Sequence, residues 1–140
     1  MVRSTRIIRL LFVILLVYSG SSKLFEPAAF ASSLQAYAFL PEAWLHFFVS
    51  YIPVLEIVIA TALVIPSTYK AALLSALVLI SVFQVALSSL LLRGIDADCG
   101  CLGSLGSSPA TALVRNCFLL AALLFLTASV CRQSPEAFID

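Results

Sequence analysis

The sequence has very little charge. Asp, Glu, Lys and Arg make up 11% of its 140 residues, hydrophobic residues make up 62%, and mean hydropathy is +1.12. Soluble domains carry about 25% charged and about 45–50% apolar residues. So few charges cannot cover a water-facing surface, which excludes an ordinary soluble domain and leaves an integral membrane protein. Long basic runs are missing and the net charge is only +1, so nothing points to nucleic acid. Cysteine is sparse too: of Cys99, Cys101, Cys117 and Cys131, only the first two lie in polar sequence. That excludes the dense disulfide framework of a small secreted protein. Histidine occurs once, as His46 in an apolar segment, which is poor material for a closed zinc site of Cys and His.

What is present is a series of apolar runs. A span takes roughly 20 residues to cross a hydrocarbon core of about 30 Å, so four spans use most of the chain. The pattern predicts an all-α, four-helix membrane bundle forming a single domain over 1–140, with spans at about 7–22, 43–65, 71–92 and 109–130. Arg3, Arg6 and Arg9, an apolar run and Ser19-Gly20-Ser21 also describe a secretory signal peptide. Apolar sequence resumes after Lys23, which favours a retained first span. Residues 27–40 mix Phe30, Leu34, Tyr37 and Phe39 with Ser32, Ser33 and Gln35. They form either an amphipathic helix along the membrane interface or a connecting helix packed on the bundle. Trp44 and Tyr51 suit an aromatic belt, and Pro53 interrupts the second span's hydrogen bonding. Arg93-Gly94 ends the third span, while Ser108 and Pro109 are a cap and first residue for the fourth.

Four spans put both termini on one side. The terminal side then holds Arg3, Arg6, Arg9, Lys70 and Arg132, and the opposite side holds Lys23, Arg93 and Arg115. Basic residues collect on the cytoplasmic side. The expected location is therefore a bacterial cytoplasmic membrane, with both termini inside and residues 94–109 outside.

That outer segment carries the clearest chemistry, Cys99-Gly100-Cys101. Cysteines this close close a disulfide only by straining the backbone, and glycine best accepts unusual dihedrals. Strained, exposed disulfides are labile and catalytic rather than structural. The preferred reading is a redox-active dithiol that exchanges with a partner's cysteines. Asp96 and Asp98 disfavour a thiolate there, whereas Arg93 and Arg115 favour one. Two other readings stand beside it: a disulfide that only braces the loop, and a metal site using Asp96, Asp98, Cys99 and Cys101.

Five further residues are candidates for supporting roles. Cys117 lies within about 10–15 Å of the outer surface and is either a third, resolving thiol or a small buried hydrophobe. Glu56, deep in the second span, and Gln84 in the third are expected at similar depth. Together they would form a polar spot for protons or a quinone head group, or else a packing hydrogen bond. Lys23 and Arg115 either snorkel to headgroups or pair with Glu26 or the loop aspartates. Cys131, at the far end of the fourth span, has no assigned role.

Several motifs carry a family resemblance. Gly20-Ser21-Ser22-Lys23, Glu26-Pro27 with Phe30, Leu40-Pro41, Pro53-Val54-Leu55-Glu56, Cys99-Gly100-Cys101-Leu102-Gly103 and Arg115-Asn116 resemble the methylamine utilisation protein MauE branch of the DoxX-like membrane proteins. Phenylalanine is usual in that family where Leu102 stands. The resemblance implies a four-helix inner-membrane protein that forms or isomerises disulfides in the small subunit of methylamine dehydrogenase, in the periplasm. It implies roles for Cys99 and Cys101 and, by position, for Glu56 and Lys23. Analogy with other four-helix thiol oxidases suggests a quinone as electron acceptor.

The expected function is thus a membrane thiol–disulfide oxidoreductase or maturation factor. Its partner would be a periplasmic protein with cysteines, an amine dehydrogenase small subunit or a thioredoxin-like protein. The alternative is a non-enzymatic assembly factor whose cysteines only brace the loop.

Overall fold

The computed structural model describes residues 2–37, 41–95 and 108–133. These form five helices: α1 (Val2–Phe25), α2 (Pro27–Ala36), α3 (Glu42–Val64), α4 (Tyr69–Leu92) and α5 (Pro109–Gln133). Four of them contain segments long and apolar enough to cross a membrane: Thr5–Phe25, Glu42–Val64, Tyr69–Leu92 and Ala110–Val130. The chain is a membrane helical bundle, as the apolar runs predict.

α1 packs chiefly on α3, and α4 on α5. Their shared core holds Phe12, Leu16, Ile59, Leu63, Leu73, Ile80, Leu123 and Leu126. α1 is therefore integral to the core. Many outward residues, such as Leu11, Val85 and Phe118, are large and apolar, because the outer surface of such a bundle is solvated by lipid rather than water.

α2 is packed on the bundle rather than lying apart from it. Phe30, Leu34 and Tyr37 are buried with Leu45 of α3 and Leu90 of α4. A guanidinium fastens this arrangement, with Arg93 Nη1 donating to the Tyr37 carbonyl at 2.7 Å. α3 passes through Pro53 as one helix, with that proline buried inside it.

Helix ends follow local chemistry. α4 stops at Gly94, whose φ of 65° lies in the left-handed region that favours glycine. The Ile95 N–H donates to the Leu90 carbonyl and the Gly94 N–H to that of Leu91, both at 3.1 Å. Ile95 then packs against the cluster that contains Leu90, completing a Schellman stop. At the start of α5 the Thr111 N–H donates to Ser108 Oγ at 3.4 Å, the cap expected ahead of Pro109.

Candidate functional site

Four helices converge on one ammonium group. Lys23, in the last turn of α1, is 1% exposed, and Glu56 of α3 is 3% exposed. Lys23 Nζ donates to Glu56 Oε1 at 2.6 Å, to Glu56 Oε2 at 2.8 Å and to Ser19 Oγ at 2.8 Å. An ammonium has three protons and no acceptor, so these contacts satisfy it completely. The faces of Phe30 from α2 and Phe83 from α4 lie 5.3 and 5.4 Å from Nζ, within cation–π range. Ser19 Oγ also lies 3.3 Å from Glu56 Oε1. Lys23 and Ser19 are four residues apart, hence on one face of α1.

Close backbone approach makes this pairing possible. A Cβ on Gly20 would stand 2.9 Å from both the Pro53 carbonyl oxygen and Ile57 Cγ1. Only the missing side chain lets α1 press against α3 here. Glu56 is eight residues before the Val64 end of α3, about 12 Å along the axis at 1.5 Å per residue. The pair is thus well inside the bundle.

Beside the pair is a small cavity of about 40 Å³, lined by Ser19, Glu56, Phe83, Arg115 and Asn116 among others. It has room for water but not for a quinone ring. The residues at Glu56 therefore do not fit that group, and no electron path is drawn through them.

The structure corrects three expectations. Lys23 does not snorkel or pair with Glu26; it is buried against Glu56, because three internal acceptors replace its water. Gln84 does not join Glu56 in a polar spot. Its neighbour Phe83 takes the position facing Lys23, and one residue turns a helix by about 100°, which sends Gln84 toward α5. There its Nε2 donates to Cys117 Sγ at 3.1 Å, while its Oε1 is buried without a partner among the described residues. Cys117 is not a buried hydrophobe, since it is exposed on the bundle's outer face.

Arg115 is half-buried and shares the small cavity with Glu56. Cys99, Cys101 and the loop aspartates Asp96 and Asp98 lie outside the described residues. Among the described residues no cluster of His, Cys, Asp and Glu suits a metal ion. Ser19, Gly20, Phe30 and Phe83 were not singled out as site residues by the sequence reading. The four-residue spacing of Ser19 and Lys23 was the available signal for the first.

A family model described as "Methylamine utilisation protein MauE" matches residues 1–129 of the chain. No curated protein and no solved structure matches it.

Proposed function

The chain belongs to the methylamine utilisation protein MauE family, and from that premise we propose that it is a membrane thiol–disulfide exchange protein working through Cys99 and Cys101. A partner thiolate attacks one sulfur of the Cys99–Cys101 disulfide, forming a mixed disulfide and releasing the other sulfur as a thiolate. The partner's second thiol then attacks the mixed disulfide. The partner leaves oxidised and the chain keeps two electrons and a dithiol. A thioredoxin-like disulfide protein reoxidises the pair by the same exchange in reverse, so no further oxidant is needed. The partner substrate is a cysteine-bearing protein outside the cytoplasm, of the kind exemplified by an amine dehydrogenase small subunit. The excess of basic residues at the ends that include both termini supports placing those ends in the cytoplasm and the cysteine segment on the opposite side.

One observation carries this reading. The cysteine segment is joined to α5 six residues before Arg115, about 9 Å along the helix, and Arg115 lines the cavity beside the buried Lys23–Glu56 pair. The buried ion pair joins α1 to α3, and through the Phe83 ring and Arg115 its site also meets α4 and α5, the two helices that flank the cysteine segment. Fixing both ends of the cysteine segment restricts the geometries from which a sulfur can be approached in line, which favours exchange with one partner over others.

Trapping tests it. In cells of the native host, a Cys99→Ser or Cys101→Ser variant should accumulate a mixed disulfide with a periplasmic protein, released by reductant. Absence of any adduct from either variant, together with full activity of the double Cys→Ser variant, establishes the assembly-factor reading instead.

A further inference from the structure

A second polar site lies at the end of the bundle opposite to the Gly94 end of α4 and the Pro109 start of α5. α1, α4 and α5 enclose an open cavity of about 190 Å³ there, lined by Thr5, Arg6, Arg9, Tyr69, Leu126 and Ser129. We infer that this cavity binds the phosphodiester of an anionic lipid headgroup.

Position argues for lipid. Thr5 and Tyr69 begin two apolar spans, and a third ends at Val130, which also borders the cavity. The opening is thus level with the membrane boundary, where headgroup phosphates sit. Arg6 is exposed, and Arg9, one turn farther into the span, is half-buried.

Charge and geometry argue for phosphate. Among the described residues that line the cavity two carry guanidinium groups and none a carboxylate. Among the described residues neither arginine has an acidic partner. Arg9 is held in place rather than free to follow solvent, with its guanidinium carbon 5.3 Å from the centroid of the Tyr69 ring. Stacking leaves the in-plane N–H groups of Arg9 available, and a guanidinium fork matches phosphate oxygens two at a time. Leu126, 1% exposed and deep in the core, gives an apolar floor suited to glycerol and the first acyl carbons. Basic pockets between membrane helices recognise anionic headgroups in this way. A free phosphate would use the same arginines but gain nothing from the apolar floor or the depth.

The test uses the full chain in nanodiscs. Phosphatidylglycerol is titrated into phosphatidylcholine discs, inorganic phosphate is titrated separately, and melting temperature is followed. The inferred site gives saturable stabilisation by phosphatidylglycerol and none by inorganic phosphate at equal concentration. Arg6→Gln/Arg9→Gln should weaken the apparent phosphatidylglycerol affinity by about thirty-fold, the effect of about 1 kcal/mol for each of two basic residues. Lys70→Gln, which removes a charge at the same end without lining the cavity, should leave it unchanged. An equal loss in Lys70→Gln means general surface attraction and overturns the site. Equal stabilisation by inorganic phosphate overturns the lipid source, and no stabilisation by either overturns both. Should the double Gln variant fail to fold, Arg6→Lys/Arg9→Lys keeps the charge and removes the fork. Its affinity should fall several-fold, and an undiminished affinity counts against the inference.

Discussion

Gly20 of α1 lies so close to Pro53 of α3 that a Cβ on it would stand 2.9 Å from the Pro53 carbonyl oxygen. That atom is backbone within a helix and cannot swing aside. Gly20→Ala should therefore separate α1 from α3 just where Lys23 meets Glu56. In an unconstrained helix the same change would stabilise by up to about 1 kcal/mol, so the sign of the effect is diagnostic. A lowered melting temperature in detergent is expected. A raised one would show that the helices part without penalty.

The Lys23–Glu56 pair should behave as a brace whose halves cannot be separated. Lys23→Met alone leaves an uncompensated carboxylate inside the bundle and should cost about 3–5 kcal/mol. Adding Glu56→Leu removes the stranded charge, and an apolar pair of similar bulk is often as stable as the ions it replaces. Melting temperature should therefore recover most of the way in the double variant. The proposed thiol exchange should recover with it if the pair serves only to position the bundle. Recovered stability with exchange still abolished would assign Lys23 or Glu56 a chemical role.

Sequence alone shows the spans because a stretch of about twenty predominantly apolar residues means the same thing in any context. It also shows the Ser108 cap and the Arg93-Gly94 stop, which depend only on neighbours. The Lys23–Glu56 pair was hidden for a geometric reason. Lys23 is in the last turn of α1, whereas Glu56 is fourteen residues into α3, so counting from helix ends puts them at different depths. The count fails because the first part of α3, through Leu45, Phe48, Val49 and Ile52, packs with α2 and extends past the end of α1. Gln84 was misplaced by a related error: depth was right as a criterion, but rotation about α4 decides its neighbours.

Gly94 offers a clean conformational measurement. Its φ of 65° is left-handed, and nothing lies within 4 Å of where a Cβ would stand. Gly94→Ala should therefore cost only the backbone penalty, about 1–2 kcal/mol, with no clash added. Asn visits this region more readily, so Gly94→Asn should cost less than Ala. No loss for Gly94→Ala in thermal melts would mean that the left-handed stop contributes nothing.

Gln84 and Cys117 supply the opposite case, a polar contact whose removal should do no harm. Gln84 donates one bond to a sulfur, a weak acceptor, while its Oε1 is buried with no partner among the described residues. An unsatisfied buried acceptor costs about 1–3 kcal/mol, more than a bond to a thiol returns. Gln84→Leu should therefore leave melting temperature unchanged or raise it. Cys117 lies seven residues into the Ala110–Val130 span and faces outward, about 10 Å along the helix from its start. In sealed vesicles it should react with a lipid-soluble maleimide and resist a charged, membrane-impermeant one. If the charged reagent labels Cys117 as readily, this face of α5 borders water rather than lipid.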